Sequence, residues 1–370
     1  MKLLVAIRRG KTADVYYRAY APWSAIQYWR NAGGWGGFEI KVEVANTKNI
    51  AWADVVWFQR AADAQSELMA TIAKSQGKPV LYDVDDNLFD IPPSAVELYA
   101  HYWTPGKMEP KPPLAHHMRM MMAADVVTVP TKALGLLLRQ HLGEDKKIKV
   151  LPNLLVRGDW DAVVPMKASY EDGDENTVTV GWMGYVYHWD DFMAIRDVLE
   201  TVILSTNSRL VILGFPELTR MFSPAMRAKM RIEKVVPFTE FAAMRQAMAT
   251  FDIGILPLAN SAFNHGKSPL KALQMGMAGA MVLASDVVYK ALETPNIRIL
   301  ETPTEWACAL RGAIESYQDP GYPWHERART WQQEVKQDYC YGSGVQIEGN
   351  LEPRAMAWLH VAEEVLRCES

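Results

Sequence analysis

The sequence has few cysteines, little net charge and no long apolar run. Only three cysteines occur in 370 residues, Cys308, Cys340 and Cys368. Their odd number and scattered positions provide neither a disulfide framework nor a metal-ligand spacing, which favours a reducing compartment, and we expect a cytoplasmic protein. The formal net charge of −4 gives no overall basic footprint for nucleic acid or for an anionic membrane.

The absence of a long apolar run bears on membranes. Nowhere do the roughly 18 consecutive apolar residues of a membrane helix occur. The apolar stretch between Lys2 and Arg8 is also too short for the apolar region of a signal peptide. We therefore expect no integral membrane association and interpret Lys2–Ile7 as a first buried strand.

The residues that are present indicate a two-domain α/β protein. Hydrophobic residues make up 49% and charged residues 22%, as in ordinary globular proteins, and the length suits two domains. Short β-branched runs alternate with amphipathic stretches, which is typical of parallel α/β layers. The predicted strands form two tandem sets of six: Lys2–Ile7, Phe38–Val44, Asp54–Phe58, Pro79–Asp83, Asp125–Pro130 and Lys147–Leu151, then Thr177–Trp182, Arg209–Gly214, Ile232–Val236, Asp252–Leu256, Ala280–Ala284 and Ile297–Leu300.

The two sets of strands define the predicted domains. Residues 1–155 and 177–320 form Rossmann-like domains, and residues 156–176, which lack periodicity and end in an acidic turn cluster, form the linker. Residues 321–370 form a helical tail with helices over Trp324–Asp338 and Glu352–Arg367. Two such domains leave a crevice, and α/β sheets bind ligands at the carboxyl ends of their strands.

The segment from Phe251 to Asp286 is the richest in chemistry. A buried strand runs into the loop Asn264–Ser268, and Pro269 is well placed to open a helix. The free amides of that first turn, the positive helix end and Lys267 would then face one point, which suits a phosphate group. The alternative is an ordinary loop-to-helix junction with a solvated lysine. The segment is not a P-loop, because Ser261 stands where that pattern requires its first glycine.

These residues resemble the donor-binding region of the retaining group-1 (family 4-like) glycosyltransferases, in a branch with the pattern FN.GKS..K.LEY.A.G.PV.AS. Other motifs of that branch follow in order: YYRAYAP from Tyr16, LYDVDDNLFDIP from Leu81, VLPN from Val150, VGWMGYVYHWDDF from Val180 and RLVILG from Arg209. The residues matched in the donor region are Phe263, Asn264, Gly266, Lys267, Ser268, Lys271, Leu273, Gly279 and Ser285.

The resemblance implies a GT-B fold, in which two Rossmann-like parallel sheets face a central cleft and C-terminal helices cross back onto the N-terminal domain. It implies retaining transfer of a hexose or pentose from a nucleotide-diphosphate sugar, with no cofactor or metal. Lys267 and His188 are the implied catalytic residues, although His188 also fits a capping or turn position. The implied donor-binding residues are Gly184, Tyr185, Gly214, Val236, Phe238, Asn264, Gly266, Ser268, Pro269, Leu270 and Gln274.

The N-terminal half is the implied acceptor side. We expect acceptor contacts from Arg9, Tyr17, Arg18, Asp83, Asp85, Asp86 and His101. The three aspartates have two alternative interpretations, a divalent-metal motif and a solvated strand end. His116 and His117, which head a Met-rich helix, are interpreted as packing residues. The acceptor itself stays open among glycan, lipid-linked sugar, small molecule, protein and modified DNA.

The sequence departs from the family at two positions. Gly266 and Gln274 stand where the broader family carries a pair of glutamates, the second of which accepts hydrogen bonds from the donor ribose. A glutamine accepts such a bond without charge assistance. A non-catalytic nucleotide- or sugar-binding module on the same fold is therefore the rival hypothesis, while an epimerase or phosphorylase fits a chain of this length less well.

Overall fold

The computed structural model describes residues 1–8, 12–31, 37–92, 113–163, 176–185, 188–214, 216–233, 240–292, 294, 296–342, 344–347 and 350–368. The chain divides into two compact units. The first unit contains Met1–Val156, His265–Ser268 and Tyr341–Ser370, and the second contains Arg157–Asn264 and Pro269–Cys340.

A six-stranded parallel sheet forms the centre of the first unit. Its strands lie in the order β2-β1-β3-β4-β5-β6. The direction of winding reverses between β1 and β3, which makes their carboxyl ends the topological switch point. The strand bounds are β1 Lys2–Ile7, β2 Glu39–Glu43, β3 Val55–Gln59, β4 Val80–Asp83, β5 Val126–Val129 and β6 Ile148–Val150.

The central strands are buried along their whole length and apolar except for Gln59 and Asp83 at their carboxyl ends, because helices cover both faces of the sheet. Every residue of β3 and β4 is buried. Tyr16–Tyr20 is a π-helix, a rare form that is frequent at functional sites. The described helices of this unit outside the π-helix are α1 Ala13–Val15, α2 Ala21–Asn31, α3 Thr47–Trp52, α4 Ala64–Ser75, α5 Pro113–Ala123, α6 Lys132–Leu142 and, near the end of the chain, α16 Met356–Cys368.

The second unit repeats the arrangement. Its parallel sheet has the order β12-β11-β10-β7-β8-β9, with the switch point between β7 and β10. The strand bounds are β7 Val178–Met183, β8 Ser208–Leu213, β9 Met230–Glu233, β10 Ile253–Leu256, β11 Met281–Ser285 and β12 Ile297–Leu300. The helices, apart from short 3₁₀ turns, are α7 Trp189–Met193, α8 Arg196–Ser205, α9 Pro224–Ala228, α10 Phe241–Met248, α11 Ala262–His265, α12 Leu270–Ala278, α13 Asp286–Tyr289, α14 Pro303–Gln318 and α15 Trp324–Asp338.

Glycines allow close packing around α12. A Cβ atom added to Gly254 on β10 would lie 2.3 Å from the Met275 sulfur, and one added to Gly276 would lie 2.1 Å from the Trp331 indole nitrogen. Helix α15, which carries Trp331, therefore packs directly on α12. Any side chain at either glycine would force these elements apart.

The predicted α/β class is confirmed, because all twelve predicted strands are present in two six-stranded parallel sheets. The predicted start of the last helix at Glu352 is wrong. Residues Gly344–Ile347 and Asn350–Pro353 form an antiparallel hairpin, β13 and β14, and α16 begins only at Met356. Pro353 closes the hairpin strand, which the helical pattern of the sequence concealed. The two predicted tail helices belong to different units, α15 to the second and α16 to the first.

Candidate active site

Three of the implied donor-binding residues follow the two strands that flank the switch point of the second unit. Gly184 and Tyr185 directly follow β7, and Asn264 follows β10. Ligands of open α/β sheets bind outside the carboxyl ends of the strands at such a point. The loop after β7 leads to His188, and α12, which follows the loop after β10, carries Lys271.

Three side chains form a continuous hydrogen-bonded line at this place. The Lys271 Nζ atom lies 2.9 Å from His188 Nε2, and His188 Nδ1 lies 2.6 Å from Asp191 Oδ2. An ammonium group can only donate, so Nε2 accepts and the proton of the neutral imidazole sits on Nδ1, from which it is donated to Asp191. We call Lys271, His188 and Asp191 the Lys–His–Asp line.

Asp191 is held from two further directions. Its Oδ1 atom accepts hydrogen bonds from the Ala259 backbone N–H and from the Asn264 side-chain amide, both at 2.7 Å. Burial by itself would raise the pKa of the Asp191 carboxyl, but the hydrogen bond from His188, together with the donors Ala259 and Asn264, brings this pKa below its ordinary value. Asp191 therefore stays ionised and fixes the tautomer of His188.

Aromatic packing fixes the rest of the line. Trp182 contacts the His188 ring edge-on with centroids 5.8 Å apart, and the Lys271 ammonium lies 5.6 Å from the Trp182 ring centroid, within cation–π range. A Cβ atom on Gly184 would lie 2.4 Å from the Trp182 ring and 3.1 Å from His188. Glycine is therefore required at position 184 to keep both rings where they are.

The other implied donor-binding residues of this unit surround the same strand ends. Gly214 follows β8 with a φ of 101°, a conformation that glycine adopts at no steric cost. Pro269 is the N-cap of α12, so the predicted helix start is present, and Leu270 is its first residue. Gln274 is buried on α12 and Tyr185 is exposed. Val236 and Phe238 lie outside the described residues.

The segment His265–Ser268 belongs to the first unit, although the sequence interpretation placed it with the second. The Gly266 carbonyl accepts from the Thr131 hydroxyl at 3.0 Å, and the Ser268 hydroxyl accepts from the Asn153 amide at 3.0 Å. The Lys267 Nζ atom lies 3.7 Å from Asp86 Oδ1. The implied catalytic lysine is thus paired with a carboxylate of the first unit.

Two of the implied acceptor contacts in the first unit form a buried ion pair. Arg18 Nε donates to Asp83 Oδ2 at 3.0 Å, and Arg18 Nη2 donates to Asp83 Oδ1 at 2.5 Å. Both side chains are 0% exposed. The Thr128 hydroxyl also donates to Asp83, and Arg18 Nη1 donates to the Asn153 side chain. The pair therefore ties the π-helix to β4 and β5.

A second charged cluster lies at the switch point of the first unit. Arg60 follows β3 and has a left-handed backbone with φ of 46°, an uncommon conformation for a residue other than glycine. Its Nη1 atom lies 3.0 Å from Asp85 Oδ1, 3.3 Å from Asp86 Oδ2 and 3.9 Å from Asp14 Oδ2. We call these four residues the arginine–carboxylate cluster.

The carboxylates of this cluster titrate differently. Burial, which is the largest cause, and the nearby carboxylates of Asp86 and Asp14 together raise the pKa of Asp85 to about 7 against the opposing charge of Arg60. For Asp14, burial would raise the pKa, but Arg60 and a hydrogen bond from Thr12 bring it below the ordinary value. One cluster therefore combines an ionised carboxylate with one that titrates near neutral pH.

The remaining acceptor-side residues have varied positions. Tyr17 is buried in the π-helix, and its carbonyl accepts from the Tyr341 hydroxyl at 2.7 Å. Arg9 and His101 lie outside the described residues. His116 and His117 are buried as packing side chains, His116 Nδ1 at 2.8 Å from Glu67 and His117 Nδ1 at 2.6 Å from the Tyr82 hydroxyl.

The aspartates considered as a metal motif face guanidinium groups. Both oxygens of Asp83 accept from Arg18, and Asp85 and Asp86 accept from Arg60. Across the described part of the chain, no group of three or more His, Cys, Asp or Glu side chains could hold a metal ion. Among the same residues, no helix is both long and apolar enough to cross a membrane.

Three residues at these strand ends were not among the predicted site residues. Asp191 and Lys271 were matched as part of the family pattern without a role, and the spacing of His188 and Asp191 by three residues on one helical turn was the available signal. Arg60 carried no signal, because its importance comes from the topology that brings β3 beside β4.

Comparisons with known structures place these sites on a shared fold. A sucrose-phosphate synthase from Thermosynechococcus elongatus superposes with a TM-score of 0.62 at 10% identity, covering 99% of each chain. A glycosyltransferase from Rickettsia africae has a TM-score of 0.61 at 14% identity over 99% of this chain and 98% of its own. An alpha-glucosyltransferase in complex with UDP-glucose and DNA containing an abasic site has a TM-score of 0.55 at 12% identity over 92% and 96%. The chain has the GT-B fold. No family model matches the sequence, and no curated protein matches it.

Proposed function

We propose that this chain is a glycosyltransferase that moves a hexose or pentose from a nucleotide-diphosphate sugar to an acceptor hydroxyl, with retention of anomeric configuration. The fold supports this proposal, because neighbours with the same two-sheet architecture are glycosyltransferases, one of which holds UDP-glucose. The single observation that carries it is the Lys–His–Asp line at the switch point of the second unit.

The line supplies a fixed positive charge where a donor diphosphate would lie. His188 is neutral and occupies one N–H of Lys271, so it orients the ammonium group without cancelling its charge. When the bond between the sugar C1 and the phosphate oxygen breaks, negative charge builds on the departing nucleotide. Lys271 and the first-turn amides of α12 would stabilise that charge.

The transfer we propose is a front-face displacement. The acceptor oxygen bonds to C1 on the side from which the nucleotide leaves, and the acceptor proton passes to a departing phosphate oxygen. The chemistry requires positioned cations and amides rather than a bound metal. The acceptor class stays open among glycan, small molecule, protein and modified DNA.

A second candidate is a non-catalytic module that binds nucleotide or sugar. The observation that favours it is the presence of Gly266 and Gln274 at the positions of the paired glutamates. Such a module would bind a nucleoside diphosphate without cleaving the sugar from it.

The test is a donor screen with UDP-, GDP- and ADP-sugars. We expect one nucleoside diphosphate to raise the unfolding temperature, and the matching sugar donor to be hydrolysed slowly without acceptor and to keep its activity in EDTA. Binding without hydrolysis or transfer, in the presence of a broad acceptor panel, would support the second candidate. Loss of activity in EDTA that manganese or magnesium restores would contradict the metal-independent mechanism.

A further inference from the structure

A separate cavity of about 400 Å³ lies in the second unit, at the carboxyl ends of β10, β11 and β12. It is lined by the loop after β10, the residues after β11 and β12, the start of α14 and the turn between α7 and α8. The switch point lies between β7 and β10, so this cavity extends towards the opposite edge of the sheet. The Lys–His–Asp line is not part of its lining.

The polar side chains that line the cavity are two carboxylates, a hydroxyl and an amide. Asp286 and Glu301 contribute carboxylates, and neither side-chain carboxylate has a hydrogen-bond or ion-pair partner among the described residues. The Ser285 hydroxyl already accepts from the Leu258 N–H at 2.8 Å, so its own proton is available to a ligand. Asn260 adds an amide. Carboxylates such as these accept charge-assisted hydrogen bonds from ligand hydroxyl groups.

The charge of the cavity and its apolar surface exclude two further classes of ligand. No lysine or arginine occurs among the described lining residues, so a diphosphate or any other anion would meet two like charges. A purely apolar ligand would desolvate the same carboxylates without replacing their hydrogen bonds. Val287, which is half-buried, and Pro303, which is exposed, offer apolar surface to the C–H groups of a ligand.

We propose that this cavity is a second carbohydrate site, which binds one uncharged sugar unit separately from the nucleotide-sugar donor. Its volume is at the small end of ligand sites, which span about 300 to 1,000 Å³, and suits a monosaccharide rather than a nucleotide sugar. Carboxylates, an amide and a hydroxyl beside the apolar surface of Val287 and Pro303 match the alternating polar edges and apolar faces of a pyranose. This site does not depend on the proposed transfer chemistry.

The test uses saturation-transfer NMR with a panel of methyl glycosides of glucose, galactose, mannose and N-acetylglucosamine. Ala194, an exposed residue at the cavity rim, is replaced by tryptophan to fill the cavity without altering the core. Ala225→Trp, at an exposed position on α9, is the matched control. We expect at least one glycoside to bind wild type and Ala225→Trp alike, and to bind Ala194→Trp about tenfold more weakly or not at all, because the indole occupies its volume.

A charge-specific measurement accompanies the steric one. Asp286→Asn/Glu301→Gln should bind the neutral glycoside about tenfold more weakly, as expected when charge-assisted bonds become neutral ones. Asp197→Asn/Glu217→Gln, with both sites exposed, is the control. Glucose 6-phosphate should bind wild type more weakly than methyl glucoside, and this difference should shrink in the Asp286/Glu301 variant.

The outcomes distinguish this site from the donor site. No binding of any glycoside to the wild type, or equal binding by Ala194→Trp and Ala225→Trp, would overturn the proposal. Lys271→Ala should leave glycoside binding unchanged while it lowers donor turnover about a hundredfold. A protein that binds glycosides in the cavity but hydrolyses no nucleotide sugar would keep this proposal and contradict the proposed function.

Discussion

At the carboxyl ends of the first sheet, arginines neutralise carboxylates, whereas at those of the second sheet a neutral histidine holds a lysine. Arg18 forms an ion pair with Asp83, and Arg60 forms ion pairs with Asp85, Asp86 and Asp14. Lys271 instead meets His188 Nε2, and the carboxylate of the line is one imidazole ring away. The two units thus share an architecture but differ in the group that a cation contacts at the strand ends, carboxylates in the first unit and a neutral imidazole in the second.

The difference shows how a half-buried cation can be positioned by a neutral group. A direct ion pair with Asp191 would position Lys271 equally well but would offset its charge. An intervening neutral imidazole keeps the ammonium charge effective towards a phosphate. In the first unit the ion pairs at the corresponding strand ends hold neighbouring segments together. The carboxyl group of Asp85 there has a pKa of about 7.

The largest effect should come from breaking the buried pair of the first unit. Arg18→Met leaves Asp83 with its burial but without its cation, so we expect a loss of about 3 to 5 kcal/mol in the unfolding free energy of that unit. Denaturant unfolding of the variant measures this loss. Arg139→Met, which removes a partly exposed arginine of α6, is the control and should cost less than about 1 kcal/mol. A loss of similar size in both variants would show that the Arg18–Asp83 pair makes no special contribution to the stability of the unit.

The second prediction compares the two lysines as sources of catalytic charge. Lys271→Ala should lower kcat about a hundredfold, as removal of a single electrostatic stabiliser does, with little change in KM. Lys271→Arg should recover only part of this loss, because a planar guanidinium cannot place its charge as a compact ammonium does. Lys290→Ala, at an exposed position, is the control.

The resemblance assigns the same hundredfold effect to Lys267→Ala. Steady-state kinetics of both alanine variants with one donor separates the assignments. If Lys267→Ala turns over like the wild type while Lys271→Ala does not, the role carried over from the family is wrong at Lys267. Wild-type turnover by Lys271→Ala would remove the basis of the proposed function.

The third prediction concerns the tautomer of His188 in the Lys–His–Asp line. Asp191→Asn can present an amide N–H to His188 Nδ1, which moves the imidazole proton to Nε2 and points it at the Lys271 ammonium. We expect kcat to fall about thirtyfold, less than the loss seen when a triad aspartate is replaced in serine proteases. Nitrogen NMR of His188 should report the proton on Nε2 instead of Nδ1. A fall in kcat with the proton still on Nδ1 would show a structural effect rather than a change of tautomer.

The fourth prediction concerns the pH dependence of the first unit. The pKa of Asp85 is about 7 in the folded protein and near the ordinary aspartate value when unfolded. Between these values the folded state binds the extra proton, so Asp85 lowers stability as the pH rises from about 4 to 7. Each pKa unit corresponds to about 1.4 kcal/mol, so Asp85→Asn should gain roughly 4 kcal/mol relative to wild type between pH 4 and pH 8.

Unfolding at a series of pH values measures this relative gain. Glu144→Gln, at a position 88% exposed, is the control and should show a constant difference from wild type. A constant difference for Asp85→Asn as well would mean that Asp85 ionises at its ordinary pKa in the folded state.

How far the sequence predicts this protein depends on how local the signal is. The predicted bounds of strands such as Lys2–Ile7 and Ile297–Leu300 agree with the observed ones, because buried parallel strands are continuous apolar runs bounded by turns. The start of α12 at Pro269 is equally local. The arginine–carboxylate cluster and the membership of His265–Ser268 in the first unit arise from contacts between segments distant in the chain. A periodic pattern contains no information about such contacts.

The smallest effect should come from Gln274, which stands in place of the family glutamate that binds the donor ribose. A neutral amide forms a weaker hydrogen bond to a hydroxyl than a carboxylate does. Gln274→Ala should therefore raise the donor KM about threefold and leave kcat unchanged, because the ribose does not change charge in the transition state. Gln274→Glu should lower KM by a similar factor. Gln274 is 3% exposed, so each variant is first compared with wild type by thermal unfolding. An equal fall in kcat and kcat/KM for Gln274→Ala would instead place this side chain at the reacting bond rather than at the ribose.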